Sequence, residues 1–180
     1  MRVIAGEWRG RKLLAPRTDA TRPTADRTRE TLFSMLASRL GSLEGLHVAD
    51  LFAGSGALGI EALSRGAAHC LFGEQDRDAL DALRKNLATL GAGQRAEIRA
   101  GSVLSLGPAP RACDLLLFDA PYGTGAGSVA LDKLGRLGWA GPDSWVSIET
   151  ADREAVDVAG FAIEAERRVG KAKLTLLRRA

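Results

Sequence analysis

The stretch that decides the fold runs from Asp50 to Gly66 and reads DLFAGSGALGIEALSRG. An apolar run, LHVADLF at 46–52, leads directly into GSGALG at 54–59, and a helical pattern follows. A G-x-G-x-x-G spacing between a buried strand and a helix is typical of loops that bring the backbone close to an adenosine-containing cofactor. NAD is one such cofactor but not the only one, so the loop predicts the kind of ligand and leaves its identity open.

Apolar runs alternate with helical patterns along the rest of the chain. Helices are predicted directly after the glycine loop, at 76–91 and, more weakly, at 128–138. The last stretch, FAIEAERRVGKAKLTLLRR, predicts an antiparallel hairpin about Val169-Gly170-Lys171. Together these elements predict an α/β, Rossmann-like fold whose seven-stranded sheet is mostly parallel. Besides the hairpin, its strands are predicted at 46–52, 68–74, 96–102, 114–122 and 144–149.

Residues 1–45 precede this pattern, and we expect them to form an extension packed on a single domain whose core is 46–180. The basic start, VIAGEWRGRKLLAP, predicts a small β-hairpin around Gly6 to Gly10. The segment RPTADRTRETLFSMLASRL, at 22–40, predicts a helix capped near Thr24. Its inward-facing side chains are expected to be Leu32, Met35, Leu36 and Leu40.

Charge is unevenly distributed along the chain. The net charge is +3, but residues 1–40 carry nine Lys and Arg against four Asp and Glu, and residues 161–180 carry six against two. The middle, 41–160, carries ten against sixteen. Basic ends on a mildly acidic body predict contact with a polyanion such as nucleic acid.

Composition predicts a soluble, cytoplasmic protein. With 46% apolar and 26% charged residues and only short apolar runs, the sequence predicts no membrane span, and its start lacks the pattern of a signal peptide. Cys70 and Cys113 lie in apolar stretches without a C-x-x-C pattern and are expected to be reduced core thiols. His47 and His69 have no acidic or cysteine neighbours at ligand spacing, so no metal site is predicted.

Two acidic residues bear on the choice of cofactor. Glu74, at the end of the second strand and twenty residues after Gly54, is placed to accept hydrogen bonds from ribose hydroxyls. Asp50 supplies negative charge where NAD would bring a pyrophosphate and S-adenosylmethionine would bring an ammonium and a sulfonium. S-adenosylmethionine is therefore favoured, and DLFAGSG resembles the first motif of amino-methyltransferases. Further predicted contacts are Phe52, Gly54, Gly56, Ser102 and Val103.

The exit of the fourth strand, LLLFDAPYG, predicts the chemistry. D-A-P-Y resembles the D-P-P-Y motif of enzymes that methylate exocyclic amines of bases. The lone pair of such an amine is delocalised, and acceptors on its hydrogens would aim it at an electrophilic methyl group. Asp119 and the carbonyl of Ala120 are the predicted acceptors. Pro121 would fix the turn, and the ring face of Tyr122 would stack on an extruded base.

The resemblance to the RsmD family, bacterial methyltransferases of small-subunit ribosomal RNA, extends along nearly the whole chain. It rests on RVIAGEWRGRKL, RPTADRTRETLFSML, DLFAGSGALGIEALSRGA, EQDRDALDALRKNL, DAPY, GW at 138–139 and IE at 148–149. It implies a class I S-adenosylmethionine-dependent methyltransferase fold and methylation of N2 of the guanine numbered 966 in 16S ribosomal RNA, with S-adenosylhomocysteine as product. The family motif has Pro where this chain has Ala120, which keeps the main-chain carbonyl and loses only stiffness.

The resemblance also gives the extension a role. Arg9, Arg11 and Lys12 are predicted to contact RNA, with Trp8 either stacking on a base or packing on the sheet. Arg22 is placed among the RNA contacts and Thr24 among the cofactor contacts, within a segment expected to border the cofactor or the RNA. We expect a monomer acting on 16S ribosomal RNA within an assembling or assembled small subunit.

Three alternatives stay open on the sequence. An amino-methyltransferase of another base, such as a different ribosomal guanine or adenine N6 in DNA, would use the same DAPY turn. An NAD-dependent oxidoreductase would use the glycine loop but would give DAPY no role. A non-catalytic RNA-binding protein could keep the fold, although the presence of Asp119 and of the glycine loop disfavours it.

Overall fold

A computed structural model describes residues 1–16 and 23–180, without the side chains of Pro23 and Thr24. Its centre is a seven-stranded sheet in the order β3-β2-β1-β4-β5-β7-β6. The first five strands are parallel, and β7 is antiparallel to both of its neighbours. The predicted sheet and terminal hairpin are therefore confirmed. The strands are β1 His47–Leu51, β2 His69–Glu74, β3 Ala96–Ala100, β4 Cys113–Phe118, β5 Ala140–Ala151, β6 Phe161–Val169 and β7 Ala172–Arg179.

Four helices accompany the sheet, and their boundaries follow from local residues. The α3 helix begins after Asp76, whose side chain accepts from the N–H of Ala79 at 2.9 Å, and it ends at Gly91 in a left-handed conformation. The α1 helix begins at Pro23, so Thr24 lies inside its first turn rather than at its cap. Proline favours the first helical position because its ring fixes φ and it has no N–H to satisfy. The helices are α1 Pro23–Leu40, α2 Ala57–Ser64, α3 Arg77–Leu90 and α4 Ala126–Arg136.

Apolar side chains fill both faces of the sheet. One cluster joins α1, α2 and α3 to the sheet, and within it Leu32, Phe33 and Leu36 are fully buried. Met35 and Leu40, also predicted to face inward, are partly buried against it. The second cluster joins α4 to the other face and includes Trp139. Among the described residues, no helix is long and apolar enough to cross a membrane.

The N-terminal segment reverses direction as predicted but forms no strands. Its pairing is limited to one antiparallel bridge between Arg2 and Lys12, because the residues between them form turns. Side chains of the core hold it in addition to these backbone bonds. Glu61 of α2 is fully buried and accepts from the N–H groups of Ile4 at 2.9 Å and Ala5 at 3.1 Å. The extension is thus fastened to the α2 side of the domain.

Candidate active site

A cleft of about 810 Å³ opens at the carboxyl ends of β1 and β4, where the strand order reverses. In parallel α/β sheets this switch point is where ligands bind, since the loops from neighbouring strands diverge there. The structure brings most of the predicted site residues together in this one cleft. The predicted residues that line it are Asp50, Phe52, Gly54, Glu74, Ser102, Val103, Asp119, Ala120, Pro121 and Tyr122.

The glycine loop presents one glycine to the cleft and buries another. Gly54 lines the cleft with φ +60° and open space where a Cβ would stand. Gly56 was predicted to contact the cofactor, but it does not line the cleft. A Cβ on Gly56 would lie 2.4 Å from Cδ1 of Leu83, so this glycine permits close packing of the loop on α3.

Phe52 has a strained backbone at the start of the same loop. Its φ is +64°, in a region that costs a non-glycine residue energy, and its side chain is half-buried against the cleft. Such strain persists only where the surrounding structure imposes it, and it clusters at functional sites. The strand-to-loop corner at Phe52 is therefore fixed by its surroundings.

Asp50 places a buried carboxyl group at the base of the cleft. Its Oδ2 accepts from the N–H of Gly59 at 2.8 Å, and Oδ1 has no hydrogen-bond partner among the described residues. Burial raises the pKa of this carboxyl to about 7, helped by the negative charge of Glu74 and opposed by the Gly59 N–H. A buried acceptor of this kind favours a cationic or hydrogen-bond-donating ligand.

Glu74 ties the second strand to the glycine loop. Its Oε1 accepts from the N–H of Gly54 at 2.7 Å, and Oε2 accepts from the N–H groups of Gln75 and Asp76 at 2.9 and 2.8 Å. These bonds fix the carboxylate at the cleft wall. Each carboxylate oxygen has two lone pairs, so Glu74 keeps acceptor capacity for ribose hydroxyls.

The loop after β3 forms the third wall of the cleft. The Ser102 hydroxyl accepts from the N–H of Leu104 at 3.2 Å and caps a single 3₁₀ turn. This turn directs the buried side chain of Val103 toward the cleft. Ser102 and Val103 therefore combine a structural role with the position predicted for an adenine contact.

The DAPY turn leaves β4 at the mouth of the cleft. Asp119 is exposed there, whereas Ala120 is buried at 6% exposure. The hydroxyl of Tyr122 donates to Oε2 of Glu149 at 2.5 Å. The sequence predicted a role for the ring face alone, so engagement of the hydroxyl is a new feature.

Two further residues stiffen the backbone just after the turn. The Thr124 hydroxyl donates to the carbonyl oxygen of Pro121 at 2.7 Å. The N–H groups of Gly123 and Ala151 lower the pKa of the Glu154 carboxyl, which joins the segment after DAPY to the end of β5. The turn is thus connected to β5 as well as to β4.

Several cleft residues were not singled out from the sequence. Thr28 and Arg29 of α1, Ala15 and Pro16 of the extension, and Glu149 of β5 all line it. Thr28, Arg29 and Glu149 fall within the quoted motifs RPTADRTRE and IE, which is the signal that could have found them. The extension and α1 are therefore part of the cleft wall.

Asn86 of α3 holds the extension against the glycine loop. It is buried, and its side chain makes hydrogen bonds to two separate segments. The Leu14 N–H donates to Oδ1 at 2.8 Å, while Nδ2 donates to the carbonyls of Leu14 at 3.1 Å and Ser55 at 3.0 Å. Because Ala15 and Pro16 follow directly, Asn86 sets the position of this wall.

The predicted RNA contacts Arg9, Arg11 and Lys12 are exposed and do not line the cleft. The Arg11 guanidinium donates to the carbonyl of Thr89 at 3.1 Å, near the end of α3. Ala79 is the last residue of α3 that lines the cleft, so this contact lies roughly 15 Å farther along the helix axis at 1.5 Å per residue.

Trp8 is a core residue rather than a base-stacking one. It is 6% exposed, and the Arg95 guanidinium lies 5.2 Å from its ring centroid. The backbone N–H of Trp8 donates to Oγ of Ser64 at 2.9 Å. The packing alternative for Trp8 is therefore correct. Arg22 lies outside the described residues, as does the side chain of Thr24, so both predicted contacts stay predictions.

Three of the six Lys and Arg side chains in residues 161–180 contact aromatic rings or backbone carbonyls of the domain. The guanidiniums of Arg178 and Arg179 lie 4.9 and 4.5 Å from the ring centroids of Trp145 and Phe161. Lys173 is buried and donates to the carbonyl of Glu154. Exposed basic side chains of this region, available to a polyanion, are Arg167, Arg168 and Lys171.

The histidines lie at the opposite end of the sheet from the cleft, at the starts of β1 and β2. Their ring centroids are 5.9 Å apart, and Nη1 of Arg111 lies 3.1 Å from Nε2 of His47. Burial and the nearby Arg111 charge lower the pKa of His47. In the described ranges, no group of three or more His, Cys, Asp or Glu is arranged to hold a metal ion.

Comparison with known proteins shows the family of the chain. The family model described as conserved hypothetical protein 95 matches residues 1–178. Ribosomal RNA small subunit methyltransferase D of Escherichia coli strain K12 is 35% identical over 181 residues, covering 99% of this chain and 90% of the relative. The chain belongs to the RsmD family. The Haemophilus influenzae protein of the same name is 35% identical over 175 residues, covering 94% of this chain and 89% of that relative.

A solved structure of a family relative supports the fold directly. The Escherichia coli protein yhhF, described as a candidate methyltransferase, matches with a TM-score of 0.86 and 37% identity. The match covers 99% of this chain and 97% of that one. The predicted class I methyltransferase fold is therefore confirmed for this member of the RsmD family.

Proposed function

We propose that the protein is an S-adenosylmethionine-dependent methyltransferase that modifies N2 of one guanine in 16S ribosomal RNA, the nucleotide numbered 966. The observation that carries the proposal is the convergence of Asp50 and Asp119 in one cleft at the β1/β4 switch point. The Asp50 carboxyl lies deep in the cleft, and the Asp119 carboxyl lies at its mouth. This arrangement separates a site for a cationic cofactor from a site for the amine that accepts the methyl group.

The chain's own residues fit the cofactor. The partnerless Oδ1 of Asp50 is suited to the ammonium of the methionine part, and Glu74 is suited to the ribose. Val103 and Ser102 offer an apolar and a polar surface for the adenine. S-adenosylmethionine supplies, when bound, a methyl group on a sulfonium that a nitrogen lone pair can attack.

Asp119 and Ala120 act on the amine. The Asp119 carboxylate accepts a hydrogen bond from one N–H of the amine, and the carbonyl of Ala120 accepts one from the other N–H. These bonds draw the nitrogen toward tetrahedral geometry and aim its lone pair into the cleft. As the bond from nitrogen to the methyl carbon forms and the bond from that carbon to sulfur breaks, the nitrogen gains positive charge, which the Asp119 carboxylate stabilises. S-adenosylhomocysteine would leave, and the proton that the nitrogen must lose would pass to Asp119 or to water. Such preorganised contacts act mainly on the transition state. Pro121 and the Thr124 hydroxyl hold the acceptors in place.

A base can reach the DAPY turn only when it is turned out of the RNA helix. Tyr122 is 39% exposed at the mouth of the cleft and can stack on a base turned out of the RNA. The exposed side chains of Arg9, Arg11 and Lys12, which do not line the cleft, suit contacts to phosphates away from the target base. We infer a cytoplasmic, monomeric enzyme that acts on an assembling or assembled small subunit.

Mapping the modified nucleotide tests the proposal. Purified protein and labelled S-adenosylmethionine are incubated with naked 16S RNA and with 30S particles, both from a strain lacking this activity. We expect one N2-methylguanine, at position 966, and faster labelling of the particles. Label on an adenine, on another guanine or on DNA alone would assign the cleft to a different substrate.

A further inference from the structure

Glu149 contacts the catalytic turn although it belongs to another strand. It lies near the end of β5 and lines the same cleft as Asp119 and Tyr122. Its Oε2 accepts from the hydroxyl of Tyr122 at 2.5 Å. A hydrogen bond to an ionised acceptor is shorter and stronger than one between neutral groups, so this contact restrains the ring firmly.

The strand register explains why Glu149 can reach the turn. Phe118 of β4 pairs with Ile148 of β5 in parallel register, and Glu149 and Asp119 each follow their paired residue. Two acidic residues thus leave neighbouring strands at the same level. The hydroxyl of Tyr122 supplies a donor to one of the two carboxylates, which offsets part of the cost of placing them side by side.

The restraint matters because Tyr122 is more exposed than most aromatic side chains of this chain, at 39%. An exposed ring samples several rotamers, and fixing one of them when a ligand binds costs entropy. A hydrogen bond at the ring's tip fixes the rotamer in advance. Glu149 therefore affects how readily a base can stack on the ring, without touching the base.

We propose that Glu149 is a positioning residue that holds the Tyr122 ring ready for the extruded base. This inference rests on the proposed function, in which Tyr122 stacks on the target. It assigns Glu149 an effect on RNA engagement that is transmitted through Tyr122, and none on cofactor binding or on the chemical step.

Kinetic variants separate this role from a direct one. Glu149→Ala removes the acceptor, and Tyr122→Phe removes the donor while it keeps the ring. Each should raise KM for the RNA about tenfold, the size of one charge-assisted hydrogen bond, with kcat within about twofold. Glu149→Gln keeps a carbonyl acceptor and should stay within about threefold of wild type. The matched control is Glu164→Ala, an exposed carboxylate on β6.

The double variant Tyr122→Phe, Glu149→Ala is the decisive kinetic measurement. If Glu149 acts through Tyr122, the double variant is no worse than either single one. Additive losses, about a hundredfold in kcat/KM, would mean that Glu149 contacts the RNA itself and would overturn the positioning role. An unchanged KM in Glu149→Ala would overturn it as well.

A spectroscopic signal tests the contact without RNA. Tyr122 is the only tyrosine of the chain, so tyrosine labelled with ¹³C at Cζ gives one resonance. Glu149→Ala should shift that resonance, and Glu164→Ala should leave it in place. An unchanged chemical shift of the Tyr122 Cζ resonance in Glu149→Ala would contradict the hydrogen bond. Failure of the wild-type protein to methylate RNA would instead overturn the proposed function, whatever the resonance does.

Discussion

The buried carboxyl of Asp50 makes cofactor affinity depend on pH. Asp50 is 1% exposed, Oδ1 has no partner among the described residues, and the pKa is about 7. At pH 6 only about one molecule in ten has the carboxylate ionised, and at pH 8 about nine in ten do. A ligand ammonium that pairs with the carboxylate should therefore bind about tenfold more tightly at pH 8 than at pH 6, or about 1.4 kcal/mol.

Titration calorimetry with S-adenosylhomocysteine at pH 6, 7 and 8 measures this change. The product carries the same ammonium as the cofactor and does not react. Below pH 7, binding should also release a proton from Asp50, which appears as a dependence of the heat on the ionisation enthalpy of the buffer. Asp50→Asn keeps an acceptor for Gly59 and should bind weakly with a flat pH profile. A flat profile in the wild type, or a slope retained in Asp50→Asn, would refute the pairing.

The same group sets a pH dependence of stability in the free protein. Its pKa in the folded state, about 7, exceeds the usual value of 3.8, so the folded protein keeps a proton that the unfolded chain has lost between these values. Stability should therefore fall as pH rises from about 4 to about 7, by up to about 4 kcal/mol from this residue. Urea unfolding should show wild type less stable at pH 8 than at pH 5 by about 2.6 kcal/mol, because part of the loss has already occurred at pH 5, and Asp50→Asn should lose this difference.

Three further predictions concern the walls of the cleft and the basic segment. Glu74→Ala leaves the glycine-loop N–H without its acceptor and should weaken binding of S-adenosylhomocysteine by about 1–3 kcal/mol in calorimetry, whereas Glu74→Gln should lose less. Asn86→Ala removes three hydrogen bonds and should lower the free energy of unfolding by about 2–3 kcal/mol and weaken cofactor binding; unchanged cofactor affinity would mean that the extension does not shape the site. Neutralising Arg9, Arg11 and Lys12 together should lower RNA affinity and flatten its dependence on salt in filter binding, with cofactor affinity unchanged. An unaltered salt slope would assign the RNA to another surface.

Local sequence patterns predicted the sheet and the positions of its loops. The glycine loop, the acid at the end of the second strand and the turn after the fourth strand all follow buried strands. Because parallel strands end at one side of a sheet, the order of motifs was enough to bring Asp50, Glu74 and Asp119 into one cleft. The C-terminal hairpin followed from alternating apolar residues about a single glycine.

Contacts between distant segments could not be predicted in this way. Asn86 and Leu14 are separated by 72 residues, and no periodicity marks either as a partner of the other. Gly56 was assigned to the ligand because the motif does not distinguish a glycine that faces a cofactor from one that faces Leu83. The reversal at the start was predicted about Gly6 to Gly10, but its pairing is one antiparallel bridge, and the buried side chains of α2 and α3 that also hold the segment could not be found from local patterns.

The central claim is that Asp119 acts on the amine during methyl transfer. A single-turnover assay tests it most directly, with labelled S-adenosylmethionine, excess enzyme and 30S particles from a strain lacking this activity. Asp119→Ala should fold, bind S-adenosylhomocysteine with nearly wild-type affinity and transfer methyl at least about a hundredfold more slowly, the scale of one lost transition-state contact. Methylation by Asp119→Ala at close to the wild-type rate would contradict the claim and leave DAPY only a structural turn.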